Sequence, residues 1–238
     1  MLNLSFDDIV ASQSIQGNVI RRTPMELSAT FSQMTDSKIY LKSECLQKTG
    51  SFKVRGAYAK IYSLSKEEKK KGVVAASAGN HAQGVAFASA LEHIPCTIVM
   101  PVNASPAKVA ATRAYGANVV LDGTIYDESW AKALEISDKT GGQIIHAFDD
   151  QKVIAAQGVI GLEIMQDLPD VDEIYLPVGG GGLAAGVLRA VKTKKPNVKV
   201  IGVQSSAFPA MKNSLDAGKL ESVEGMQTIA DGISVKKP

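Results

Sequence analysis

At 238 residues, with 45% hydrophobic and 21% charged side chains, the chain has globular composition and room for two packed units, which excludes the disordered and collagen-like classes. Its 26 basic and 24 acidic residues leave a net charge of +2, too even for a broad basic face, so no nucleic-acid partner is expected. No apolar run approaches the roughly 18 residues of a membrane span, and the first thirty residues carry Asp7, Asp8 and Glu26 instead of a signal-peptide core, so no membrane contact and a cytoplasmic location are expected.

In chain order, Ser5 with Asp8 three residues on predicts a capped helix start and a first helix to about Ile15. From Lys38 onward, short β-rich runs alternate with helical stretches, and KIYLKS, VVAAS, CTIVMP, NVVL, QIIHAF, EIYLPV and KVIGVQ predict strands. Cys45 and Cys96 lie far apart without metal or redox spacing and are expected as buried thiols. Val54, Ala57, Tyr58, Ile61 and Leu64 recur at helical spacing, with Glu67 to Lys71 as the solvated end. Ser105 and Pro106 predict a capping hydroxyl before a proline at the first helical position, with Gly116 as the stop. This alternation requires right-handed crossovers and an α/β fold, its mostly parallel sheet covered by helices on both faces. Ligands in such sheets bind beyond the C-terminal strand ends.

Three segments follow strands and open helices, where free N–H groups and the positive helix end can meet an anion or cofactor: TGSFKVRGA (49–57), SAGNHAQG (77–84) and PVGGGGLAAG (177–186). Four successive glycines, Gly179 to Gly182, exceed what a turn needs and let backbone N–H groups converge on a phosphate. Leu183 and Ala184 stand where a Walker loop needs Lys and Ser or Thr, which excludes a P-loop nucleotidase. The dinucleotide pattern is formally present as Gly179-x-Gly181-x-x-Ala184, but the next strand run ends in Gln204 where a ribose-binding carboxylate belongs, so NAD ranks second. Lys53 lies in the first turn of an apolar helix, where the helix end and partial burial lower its pKa, and a neutral amine can form a Schiff base. Ser77 to His81 offer a hydroxyl, an amide, an imidazole and exposed N–H groups; the alternative is a plain Asn/Gly turn capped by Asn80, and His81 reads equally as a core histidine.

Together these segments resemble the fold-type II pyridoxal 5′-phosphate enzymes, most closely the threonine dehydratases, from about Ile20 to the end of the chain. SFKVRGA is similar to the cofactor-lysine motif, SAGNHAQG to the substrate-carboxylate loop and GGGGL to the phosphate loop, in the family's order and spacing; HAFDDQKVIAAQG (146–158) and TIADGI (228–233) also resemble dehydratase segments. The resemblance implies two open, twisted, mostly parallel sheets, the tryptophan synthase β-like arrangement, with a small domain of residues 50–148 inserted into a large one of residues 1–49 and 149–238. It implies that Lys53 carries the cofactor beside Phe52, that Asn80 bonds its phenolic oxygen, and that Gly179, Gly180, Gly181, Gly182 and Leu183 hold its phosphate. Ser77, Gly79, Asn80 and His81 would grip the substrate carboxylate, with Gly232 near the substrate's side chain. A homo-oligomer, dimer or tetramer, is expected.

The activity so implied is elimination of water from L-threonine, and L-serine with it, to give a 2-oxoacid and ammonia, with Lys53 as the base. A serine racemase relative would need a second base directly after the residue matched by Ser77, and this chain has Ala78 there. Phe148 resembles the dehydratases in the same sense, since racemase relatives tend to carry a polar residue at that point. Some relatives bind a divalent cation just after the strand matched by KVIGVQ; Gln204 to Ala210 offer no carboxylate there, so no metal is expected. The family's partner for the pyridine nitrogen should follow well after TIADGI, while the sequence ends at Pro238, so an incomplete large domain is expected.

Overall fold

The computed structural model describes residues 4–238. Helix α1 (Phe6–Gln16) starts at the expected capping box: Ser5 Oγ accepts from Asp8 N at 3.1 Å, and Asp8 Oδ2 accepts from Ser5 N at 2.8 Å. A short antiparallel ribbon follows, strand β1 (Met25–Leu27) on β2 (Tyr40–Lys42), with α2 (Ala29–Thr35) between them and a 3₁₀ turn, Glu44–Leu46, after. Cys45 is exposed in that turn, contrary to expectation, because a single 3₁₀ turn at the surface has no inner face on which to hide it; Cys96 is buried.

Next come α3 (Lys53–Tyr62), α4 (Lys66–Lys71), β3 (Val73–Ala76), α5 (Asn80–Leu91), β4 (Cys96–Met100), α6 (Pro106–Ala114), β5 (Asn118–Leu121), α7 (Tyr126–Thr140) and β6 (Gln143–Ile144). The charged run is thus a separate helix and not the solvated end of α3. Ser65 Oγ accepts from Glu68 N and Glu68 Oε2 accepts from Ser65 N, a second capping box that starts a new helix. Ser105 stands at the start of α6 with Pro106 at its first position, but its hydroxyl makes no cap bond.

Strands β5-β4-β3-β6 form a four-stranded parallel sheet in that order. The strand period of two sorts its side chains. Val73, Ala75, Ile98 and Met100 join α3 and α5 in one core cluster, while Val74, Ala76 and Val99 pack with α7 through Ala133 and Trp130. Both faces are therefore covered, which is why the central strand β3 reads as an unbroken apolar run.

The long α8 (Gln151–Asp167) is buried almost throughout from Val153 to Ile164, between α1, α3 and α9 (Gly182–Lys194). Helix α9 crosses over between β7 (Glu173–Pro177) and β8 (Lys199–Val203), a second, two-stranded parallel sheet. Helix α10 (Ala210–Ala217) and a 3₁₀ turn, Asp231–Ile233, complete the described chain. Among the described residues no helix is long and apolar enough to cross a membrane, and no three His, Cys, Asp or Glu side chains gather as a metal site.

Candidate functional site

Lys53 is the first residue of α3, and its Nζ donates to Ala147 O at 2.8 Å while lying 5.4 Å from the centroid of the Phe52 ring. Burial pushes the amine's pKa down to about 8. Phe52 and Lys53 share one cleft with Ala147, Phe148, Gln157, the segment from Gly179 to Ala184, and Gly232.

The glycine run forms the opposite wall. Gly181 caps α9 in the left-handed conformation at φ +89°, and Ala185 N returns to Gly181 O at 2.8 Å. The N–H groups of Gly182, Leu183 and Ala184 precede the first intrahelical donor and have no side-chain cap, the kind of helix end that can take an anion. A Cβ on Gly180 would come within 2.4 Å of the Phe148 ring, and one on Gly182 within 2.6 Å of Phe148 O. The glycines thus let Phe148 seat against the loop from one side and leave the N–H groups free on the other.

Phe148 is itself the end of an aromatic ladder. It meets His146 edge-on at 4.7 Å, His146 meets Trp130 edge-on at 5.2 Å, and Trp130 stacks on Tyr126 at 6.3 Å. His146 Nδ1 accepts from Asp149 N at 2.7 Å, which fixes a neutral imidazole, and burial lowers its pKa.

The Ser77 to His81 loop does not line that cleft but adjoins it. Ser77 N bonds Val99 O at 3.1 Å, its Oγ accepts from Gly79 N at 3.2 Å, and Asn80 is exposed as the first residue of α5, which Gly79 and not Asn80 caps. His81 is buried with Nε2 2.8 Å from Ile145 O. A carbonyl only accepts, so Nε2 donates and the ring is neutral; burial first, then the Lys53 charge, lower its pKa to about 3. What His81 can offer an anion is its backbone N–H. Ile145 and Ala147, whose carbonyls hold His81 and Lys53, are two residues apart, and this segment brings loop and lysine together.

Two elements were missed from sequence. Arg55, two residues after Lys53 and fully buried, bonds both oxygens of Glu44 at 2.7 and 2.8 Å, both of Glu163 at 2.8 and 3.0 Å, and Gln16 Oε1 at 3.0 Å. Glu163 also holds Lys42 at 2.6 Å. Burial opposes the guanidinium's charge, but the bonds to Glu44 and Glu163 reverse that and raise its pKa. The second is Gln157, buried at the cleft with Oε1 unbonded. The available signal for Gln157 and Glu163 was their place as polar residues inside the apolar run of α8.

The family of pyridoxal-phosphate dependent enzymes matches residues 17–238. The chain is 56% identical over 235 residues to an L-threonine ammonia-lyase of Thermotoga maritima, covering 99% of this chain but only 59% of that protein. Of solved structures, maize serine racemase superposes with TM-score 0.95 at 34% identity, over 98% of this chain and 70% of that one. The processed form of threonine deaminase isoform 2 from Solanum lycopersicum gives 0.92 at 42% identity, over 98% and 63%. Matched by this family over residues 17–238, the chain belongs to the pyridoxal-phosphate dependent enzymes.

Proposed function

We propose that this chain is the cofactor-holding part of an enzyme that dehydrates and deaminates L-threonine, and L-serine with it, to a 2-oxoacid and ammonia. The observation that carries this reading is the Lys53 amine, held in a cleft facing the glycine loop with its pKa brought to about 8. Near neutral pH such an amine has a usable neutral fraction, able to attach to a carbonyl and to take a proton. The Thermotoga relative's name supports the substrate.

Pyridoxal phosphate fits the residues present. The cleft offers an amine for its aldehyde and three open N–H groups at the start of α9 for its phosphate. Phe52, Lys53 and Asn80, with the loop from Gly179 to Leu183, are proposed to hold it. When bound, the cofactor supplies an electron sink for the charge left at Cα. Lys53 removes the Cα proton, the N–H groups of Gly79, Asn80 and His81 with the Ser77 hydroxyl orient the substrate carboxylate at the start of α5, and Gly232 leaves room beside the substrate's side chain. The site would lie where a small domain, residues 50–148, meets a large one, residues 1–49 and 149–238, in a cytoplasmic homo-oligomer.

Attachment of the cofactor should follow the neutral fraction of Lys53. Its rate, trapped by borohydride at short times, is expected to rise with pH, reach half its limit near pH 8 and then level off. A midpoint near the ordinary lysine value of 10.5 would contradict the desolvated amine.

The likeness to maize serine racemase favours racemisation as the second reading. Against it stands Ala78, whose methyl packs on the core of the four-stranded sheet and cannot carry a proton. With a base on one face, the deprotonated substrate can be reprotonated where it was formed or can lose hydroxide, but cannot be inverted. Given L-serine and L-threonine, the protein carrying this chain is expected to form 2-oxoacid with negligible D-amino acid, and Ala78→Ser to gain D-serine. D-serine formed by the unaltered protein as fast as pyruvate would sink the one-base argument.

A further inference from the structure

We propose that His146 is a positioning residue of the cleft: its ring Nδ1, by accepting two backbone N–H groups, holds residues 146–149 in the shape that turns the Ala147 carbonyl to Lys53 and seats Phe148 on the glycine loop. This deepens the pyridoxal phosphate reading above and rests on it. Residues 146–149 lie between β6 and α8 in no helix or strand, and among the described residues no backbone–backbone hydrogen bond involves any of them. Backbone N–H groups need partners, and here the imidazole is the partner. Nδ1 accepts from Asp149 N at 2.7 Å and from Phe148 N at 3.3 Å. The stretch so folded contains the two residues that touch the site: Ala147, whose O accepts from Lys53 Nζ at 2.8 Å, and Phe148, for whose ring and backbone Gly180 and Gly182 leave room. The imidazole is itself held edge-on by Trp130 at 5.2 Å and Phe148 at 4.7 Å.

An acceptor at Nδ1 requires the neutral ring with its proton on Nε2. Protonation would set an N–H against two N–H groups and break both bonds at once, so the loop is held at neutral pH and released by acid. The groups around the ring agree with this. Burial is the largest influence on His146 and lowers its pKa below the ordinary 6.5; Asp149 and Asp150 pull it up, and Lys53 of α3 pushes it down. His81 of α5, with its pKa near 3, and Tyr126 of α7, raised above 10, carry no charge in this range.

The test compares the unaltered chain with His146→Asn, whose Oδ1 can accept where Nδ1 does but does not titrate, and His146→Phe, which keeps a ring between Trp130 and Phe148 but accepts nothing. Dissociation constants for pyridoxal phosphate are read from absorbance titrations between about pH 4.5 and 8, the span in which a histidine changes charge. On the cofactor-free chain, protonation of His146 is read from the emission of Trp130, the chain's one tryptophan, which an imidazolium in edge contact quenches. Near pH 8, His146→Asn is expected to bind within about twofold of the unaltered chain and His146→Phe about three- to tenfold more weakly, as for loss of an ordinary hydrogen bond. In the ratio of the unaltered to the His146→Asn constant, the titrations of Lys53 and of the cofactor's own phosphate cancel. That ratio should climb as pH falls through the midpoint of the Trp130 signal, below 6.5. A merely structural role would lower the melting temperature of both variants and leave the ratio flat. Should His146→Phe fail to fold, the ratio decides alone. A flat ratio across the Trp130 transition, or His146→Asn as weak as His146→Phe near pH 8, overturns the inference. An unaltered chain that takes up no pyridoxal phosphate sinks the proposed function and this inference with it; uptake that neither variant alters at any pH sinks the inference alone.

Discussion

Lys53→Ala is expected to abolish covalent attachment of the cofactor and to lower turnover by at least about 10²–10⁴-fold, the contribution of one positioned acid–base group, while leaving the chain folded. The fold does not depend on this side chain. Its amine makes one hydrogen bond, to Ala147 O, and burial disfavours its charged form. Because its folded pKa, about 8, lies below the ordinary value of 10.5, Lys53 opposes folding in full below pH 8, and that penalty fades as pH rises from about 8 to 10.5. Over that window the unfolded chain holds more protons than the native one, so stability climbs with pH. Replacing the lysine by alanine should therefore cost little at neutral pH and flatten that part of the stability profile. Borohydride reduction of the loaded protein followed by peptide mapping checks the assignment, and a label on any other lysine would refute it.

The parts of this site that sequence made legible are those where local chemistry is unusual at its own position. Gly179 to Gly182 stand out because four residues without side chains have no ordinary structural use together, and Lys53 because it opens an apolar helix. The inner strands β3 and β4 were readable since they are buried on both faces and almost wholly apolar; β1 was not, because its three residues are half-buried to exposed and pair only with β2. The order β5-β4-β3-β6 depends on which crossovers pack, which no local pattern encodes. The split between α3 and α4 was legible in principle, in Ser65 and Glu68, but the continuing run of charges obscured it. His81 read equally well as a ligand or a core residue, and its inward bond to Ile145 leaves only its backbone for a ligand. Arg55 gave no local sign of its burial, since its partners Glu44 and Glu163 lie 11 and 108 residues away and come together only in the fold.

Arg55→Met is expected to destabilise the chain by about 3–5 kcal/mol, the cost of breaking a buried ion cluster by removing one partner. Intact, the buried set balances Arg55 and Lys42 against Glu44 and Glu163, with Asp167 and Arg22 paired at its rim. Without Arg55 the two carboxylates face one lysine, and four hydrogen bonds to carboxylate oxygen are lost, two of them on the buried Glu163. For a chain of this size each kcal/mol lowers the melting temperature by roughly 2–4 °C, so a fall of about 6–20 °C is expected. Arg55→Lys should recover only part of it, because an ammonium cannot present two parallel bonds to each of two carboxylates. The loss should be largely repaired by Glu44→Gln together with Arg55→Met, since that removes one charge of each sign and leaves Glu163 paired with Lys42. The guanidinium anchors the first turn of α3, which carries Lys53, to α8, which carries Gln157, so the variant should also loosen cofactor retention beyond its effect on melting. A loss below about 1 kcal/mol would mean that the cluster behaves as a solvated surface pair, contrary to its burial.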